Sequence, residues 1–323
     1  MAVMIARDAQ LALHERVRPR RPVRFGARHR GFSLEQSISY VEDVVRDYGT
    51  HGGLTKQRLS GARVLELGPG DSLGVALSLV GKGAQRVVCL DRFATWRDPE
   101  QQRRINVALV RRMRPEERRR LAEVLSSDGE LHPGQQALIL IEGTGIENAP
   151  AVVPEREFDV IVSRAVLAHV WEPDRAFEAM DRLLAPGGLM SHKVDLSDHR
   201  HFSDAGHNPL TFLTVSDRLW DRMRRHTGLT NRRLADYYRA RLAELGYEQR
   251  LLITKVIGRP ELSRPAPADQ LLGEIDAARP LIEEIRPRLL ERYRGLADED
   301  LATAGVFITA CKPQREPTGR GHD

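Results

Sequence analysis

Apolar positions along this chain fall into short continuous runs separated by amphipathic stretches. Residues 64–67, 86–91, 137–141 and 158–163 are runs of strand length, mostly apolar on successive positions, as strands covered on both faces are, and residues 189–196 read as a fifth strand that carries His192, Lys193 and Asp195. Upstream, Ile38, Val41, Val44 and Val45 recur at helical spacing. Ser33 with Gln36 three positions on forms a capping box for that helix, and the Gly49–Gly53 region breaks it. Tyr40 and Tyr48 read as its core aromatics. Residues 94–130 read as two charged helices split at Pro115, and residues 230–245 as a helix. Residues 248–256 alternate as a strand, and residues 303–313 form a last one.

Two stretches interrupt this alternation. Residues 203–228 look like an inserted lid, with Trp220 and Met223 at helical spacing. Residues 259–298 form a second insert, helical from about Ala268 and broken at Pro280 and Pro287. The organisation expected is an N-terminal arm and helical extension over residues 1–58, one α/β domain over 59–315 and a disordered tail over 316–323. Within the extension, residues 1 to about 31 are rich in Arg and Pro, lack a period and read as a loose arm.

Composition narrows the picture. A chain of 323 residues fits one elaborated α/β domain. The net charge of +5 comes almost wholly from Arg, with Lys only at 56, 82, 193, 255 and 312. The densest basic run, Arg111 to Arg120, is interleaved with Glu116 and Glu117, which reads as a solvated helix face and not a nucleic-acid patch. No apolar run is long enough to cross a membrane, and residues 1–22 do not read as a secretion signal. Cys89 and Cys311 fall in strands and make no disulfide framework, which suits a reducing cytoplasm.

The chemistry centres on Glu66-Leu67-Gly68-Pro69-Gly70-Asp71-Ser72-Leu73-Gly74, a strand end, a glycine turn and the start of a helix. Glycines there let a backbone approach a ligand where a Cβ would clash. The spacing is Gly-x-Gly-x-x-x-Gly and not that of dinucleotide binders, and Glu66 suits a ligand with hydroxyls and a cation. The segment resembles the first motif of class I S-adenosylmethionine (SAM) dependent methyltransferases, of the Rossmann-like superfamily. The start Phe158-Asp159-x-Ile161-x-Ser163, the pair His169-Val170 and the stop Leu183-Leu184-Ala185-Pro186-Gly187-Gly188 match the central half of that family in order. The resemblance implies a seven-stranded, mostly parallel sheet with helices on both faces; on that sheet this chain's helical N-terminal extension is an addition, and its helical inserts fall after strand 5 and between strands 6 and 7.

It also implies SAM as cofactor. Glu66, Gly68, Pro69 and Gly70 would line the cofactor, and Asp91, one βα unit on, would accept both ribose hydroxyl protons. Arg92, Gly145, Ile146, Glu147, Ser163 and Arg164 complete the expected cofactor set. The acid that usually meets the adenine amino group is replaced around Thr144, leaving Glu147 nearby.

Five of the 11 histidines lie between positions 192 and 226, beside Asp195, Asp198 and Asp204. One reading makes His199 or His201 a general base oriented by Asp198 or Asp195, with His169 within reach of the site. A second has Asp195, Asp198 and His199 bind a divalent cation such as Mg2+. A third is a polar loop bonding its own backbone. Lys193 is expected to pair with an acid such as Asp195. The sequence Ser163-Arg164-Ala165-Val166 lacks the Asn-Pro-Pro-aromatic pattern that would support a base amino group as acceptor. The expectation is an O-methyltransferase of a small polar acceptor, a sugar or glycosylated natural product, acting without nucleic acid or membrane; a homo-oligomer stays open. The rivals are metal-assisted O-transfer, N- or C-transfer, nucleic-acid methylation and a non-catalytic SAM-fold module.

Overall fold

The structure, a computed structural model, describes residues 28–155, 157–224 and 229–314. The expectations for residues 1–27, His226 and the 316–323 tail lie outside the described residues.

Among the described residues, eight strands form one sheet: β1 Arg63–Leu67, β2 Arg86–Asp91, β3 Leu138–Glu142, β4 Phe158–Arg164, β5 Leu184–Asp195, β6 Glu248–Val256, β7 Glu261–Ala266 and β8 Thr303–Cys311. Their order is β3-β2-β1-β4-β5-β8-β6-β7. The β1 to β5 pairs run parallel, and β8, β6 and β7 complete the sheet antiparallel. The carboxyl ends of β1 to β5 therefore lie along one edge, where open α/β sheets bind ligands.

Both faces are covered. On one, Val64, Val87 and Val162 meet Val41 and Val44 of the Leu34–Thr50 helix, Leu77 of the Gly74–Gly81 helix and Leu109 of the Pro99–Arg112 helix. On the other, Leu65, Val88 and Ile161 meet Phe177 of the Pro173–Leu183 helix and Tyr238 of the Ala235–Glu244 helix. The capping box forms as expected: Ser33 Oγ accepts from Gln36 N at 3.2 Å, and Gln36 Oε1 accepts from Ser33 N at 2.8 Å. A third cluster joins the two inserts, with Trp220 and Met223 of the first packed among Ile275, Ile282 and Tyr293 of the second.

Three expectations need correction. The sheet has eight strands, not seven, because the second insert opens with β7, which pairs Ile253 with Ala266 and Lys255 with Glu261. This edge strand carries Glu261, Ser263, Arg264 and Pro265, so it lacks the apolar run of a buried strand; Pro is tolerated only at such an edge. The helix expected over residues 230–245 begins only at Ala235. Ahead of it, Asn231 N donates to Ala168 O at 2.6 Å, Asn231 Nδ2 donates to Leu167 O at 2.8 Å, and Arg232 takes φ +60°. These tertiary bonds hold the segment out of the helix against local helix propensity. Lys193 pairs with Asp47 at 3.4 Å and with Glu261, not with Asp195.

Candidate active site

A cavity of about 370 Å3 opens along the carboxyl edge of the sheet. Its wall follows the strand order. Thr144, Gly145, Ile146 and Glu147 come from the β3 end, Asp91 and Arg92 from β2, and Gly68, Pro69 and Gly70 from β1. Arg164, Val166 and His169 follow β4, and Asp195 and His199 follow β5.

The glycine turn is sterically determined. Gly68 has φ +65°, and a Cβ there would stand 2.4 Å from Val166 Cγ2. Gly70 has φ +69°, also in the region that disfavours a side chain. Arg97 latches this turn to the end of β3, two strands away: Nη2 donates to Gly70 O and Nη1 to Glu142 Oε1, both at 2.6 Å.

Asp91 is 9% exposed and accepts Phe93 N–H at Oδ1, 3.0 Å away. Burial pushes its carboxyl above the usual range, against the N–H bonds from Phe93 and Gly70 that hold it down. Glu147 Oε1 accepts the N–H groups of Trp171 at 2.9 Å and Glu172 at 3.2 Å, tying the β3 loop to the β4 loop. A Cβ at residue 145 would sit 2.4 Å from Glu147 Oε2, so glycine is what lets that oxygen approach.

At the other end two turns present histidines, and both pass through left-handed non-glycine residues: Ala165 at φ +56°, His199 at +50° and Arg200 at +67°. Such backbone costs energy and persists where surroundings enforce it. Here Ala165 N–H is held by Lys193 O at 2.8 Å. The His169 and His199 rings meet edge to face at 4.8 Å between centroids. His199 Nε2 lies 3.9 Å from Asp195 Oδ2 and is buried without a hydrogen-bond partner. Burial pushes the Asp195 carboxyl up, but the Ser197 bonds and the nearby His199 outweigh it, and the group stays below the ordinary carboxylate range.

Of the expected residues, Gly68, Pro69, Gly70, Asp91, Arg92, Gly145, Ile146, Glu147, Arg164, His169, His199 and Asp195 come together in this wall. Four stand elsewhere. Glu66 is buried behind the strand, where Cys89 Sγ contacts its Oε2 at 3.5 Å and burial pushes its carboxyl up to about 7. Ser163 Oγ bonds His192 Nδ1 at 2.8 Å inside the sheet, where burial lowers His192 to about 3. His201 is exposed. Asp198 is spent on its own loop, accepting from Arg200 N, Phe202 N, Ser203 N and Ser203 Oγ at 2.8 to 3.0 Å. With Asp198 so engaged, the metal reading does not assemble; among the described residues no group of three His, Cys, Asp or Glu side chains could hold a metal ion.

Sequence reasoning missed Arg28, His29 and Asp71 in the wall that faces the β1 turn, and read its fourth member, Tyr40, as a core aromatic. Asp71 accepts His29 N–H at 3.1 Å and Arg30 N–H at 2.9 Å, so the supposed loose arm is pinned from residue 28 onward. Tyr48 is a core aromatic at 2% exposure, but Tyr40 faces the cavity. An acid directly after a glycine turn was the available cue to a docked segment.

A family model described as a methyltransferase domain matches residues 41–249. No curated protein matches the chain. Among solved structures, an S-adenosylmethionine dependent methyltransferase from Mesorhizobium loti is 15% identical, with 87% of this chain and 100% of that one covered and a TM-score of 0.42. Phosphoethanolamine N-methyltransferase 2 from Haemonchus contortus, in complex with S-adenosyl-L-methionine, is 15% identical, with 85% of this chain and 53% of that one covered and a TM-score of 0.41. No helix among the described residues is long and apolar enough to cross a membrane.

Proposed function

The chain belongs to the methyltransferase domain family, with SAM as its cofactor, and from that premise we propose that it methylates a hydroxyl of a small polar acceptor, a sugar or a glycosylated natural product. The observation that supports this is a single cavity with the glycine turn and Asp91 at one end and the His169, His199 and Asp195 corner at the other. Residues 59–315 would form the SAM-binding domain, with the inserts at 203–228 and 259–298.

The residues present fit the cofactor. Asp91 commits Oδ1 to Phe93 and keeps acceptor capacity for a ribose diol. Glu147 keeps Oε2 for an adenine amino group. A cavity of about 370 Å3 lies within the range of small-molecule sites. When bound, SAM supplies an activated methyl group that leaves its sulfur for a nucleophile aligned behind it.

The chain's own groups would place the acceptor and remove its proton. With the Nε2–H of His199 turned toward Asp195, Nδ1 is left to take the hydroxyl proton, and the ionised carboxylate stabilises the imidazolium that forms. Burial of Nε2 leaves Asp195 as its nearest electrostatic partner and favours one tautomer. The 3.9 Å separation is of the loose kind that tightens when substrate binds. His169 packs against the base and fixes its ring plane. Its own turn is anchored by Asn231, just beyond the first insert.

The test is turnover across a panel of sugars, glycosides and small amines, with product position read by mass spectrometry and NMR. Methylation of oxygen in the wild type, abolished in Asp195→Asn and His199→Gln with SAM binding retained, supports the reading. Transfer to nitrogen alone sinks it.

A further inference from the structure

Among the described residues, three guanidinium groups face the cavity. Arg164 is bonded to Asp47 at 2.7 Å. Arg92 stands beside Asp91 with its guanidinium carbon 5.5 Å from the Phe93 ring, on the β2 side. Arg28 stands on the β1 side, its guanidinium carbon 5.5 Å from the Tyr40 ring centroid, with no acid in ion-pairing range among the described residues. Arg164 approaches the same ring at 5.6 Å. Two like charges thus flank one tyrosine, an arrangement that an anion between them would relieve.

We infer that Arg28, presented by the pinned segment of residues 28–30 and backed by Tyr40, binds the carboxylate at the amino-acid end of the cofactor. The inference rests on reading this cavity as the SAM site.

Strand order supplies the direction. Adenine and ribose would occupy the β3 and β2 ends, at Glu147 and Asp91. The methyl group must face His199 across the β4 and β5 ends. The amino-acid arm leaves the same sulfur and needs a different exit. The remaining wall of the cavity stands over the β1 turn and is formed by Arg28, His29, Tyr40 and Asp71.

That wall is built, not draped. Asp71 holds the N–H groups of His29 and Arg30, and Gln101 Nε2 donates to His29 O at 2.6 Å. His29 is 4% exposed, packs edge-on to Tyr40 at 5.3 Å, and leaves Nδ1 buried without a partner. A buried polar atom left over in the wall of a cavity is the kind that a ligand satisfies. Guanidinium is also the side chain best matched to a carboxylate, through two parallel N–H···O bonds.

The test is calorimetric titration of the full chain with S-adenosylhomocysteine and with 5′-methylthioadenosine, which keeps the nucleoside and sulfur but lacks the amino-acid arm. In Arg28→Gln the Kd for S-adenosylhomocysteine should rise about ten- to hundredfold, the loss of a charge-assisted pair, with methylthioadenosine binding unchanged. Arg28→Lys should recover part of that affinity, since it restores the charge without the fork. An equal loss for both ligands means a structural role and overturns the inference, as does no loss for either. If the wild type binds neither ligand, the reading of the cavity itself falls, and the inference with it.

Discussion

His199 stands edge-on to His169, with ring centroids 4.8 Å apart and planes at 76°, where β4 and β5 end side by side. This contact joins two separate strand ends into one corner and leaves His199 close to Asp195. If His199 is the base, His199→Gln should lower kcat by about 10²- to 10⁴-fold, the usual contribution of general-base catalysis, and leave the Kd for SAM within about twofold. His201→Gln, at an exposed position outside the cavity wall, should keep full turnover. Steady-state kinetics with a proven acceptor check both; an unimpaired His199→Gln enzyme would remove the base assignment.

The parts of the fold that could be read from sequence are those where local pattern and tertiary environment agree. Strands β1, β2, β4, β6 and β8 are apolar or alternating and bounded by turn residues, so their pattern and their burial point the same way. Gly68 and Gly70 could be found because backbone chemistry dictates their residue type, and Asp91 because it is an acid closing an apolar strand one βα unit on. What was hidden depends on distant partners. Nothing near Arg28 in the chain announces Asp71, 43 positions on. The polar edge strand β7 is specified by β6 and not by its own composition. Asp198 and His201 sit in the right stretch, but spacing along a loop does not say which side chains turn inward. Hydrogen bonding to its own loop removes Asp198 from the cavity wall.

Gly68 tests the cofactor cradle. Gly68→Ala forces a left-handed alanine and drives a methyl group to 2.4 Å from Val166 Cγ2. We expect a loss of about 1–3 kcal/mol in stability and SAM binding weakened at least tenfold. Adding Val166→Ala removes the collision but not the backbone strain, so the double variant should regain only part of the stability. Thermal unfolding and calorimetry read the two effects. Full recovery would mean that the positive φ carries no cost.

Glu66 gives a pH signature. Burial pushes its carboxyl up to about 7 from an ordinary value near 4.5. A raised folded-state pKa means that its stabilising contribution is complete below about 4.5 and is lost as pH rises toward 7, where a buried charge must form. The swing is about 3 kcal/mol for a fully buried group. Glu66→Gln keeps the shape and cannot ionise. It should melt several degrees above the wild type at pH 8 and close to it at pH 4.5. A constant difference across that range would show that Glu66 is not the titrating group.

Asp47 binds Arg164 of β4 at 2.7 Å and Lys193 of β5 at 3.4 Å, and Lys193 in turn meets Glu261 of the edge strand β7. This chain of charges joins the Leu34–Thr50 helix to three strands. Burial pushes the Asp47 carboxyl up, but the Arg164 bond and the Lys193 charge outweigh it, so its folded pKa is depressed. Its contribution to stability is therefore present above the ordinary carboxylate pKa and lost as pH falls through the depressed value. Removing the acid alone strands the Arg164 guanidinium, which is four-fifths covered, and leaves the Lys193 ammonium with Glu261 as its acid. Asp47→Leu should then cost about 2–4 kcal/mol, toward the low end of buried-pair losses because the side chains retain some solvent. The double variant Asp47→Leu with Arg164→Met leaves fewer stranded charges and should be more stable than Asp47→Leu alone. That sign is the signature of a buried pair whose desolvation cost rivals its attraction. Urea titrations of the four proteins in the cycle measure the coupling. Strictly additive losses would mean that Asp47 and Arg164 do not stabilise one another, and that the helix is held to the sheet by its apolar face alone.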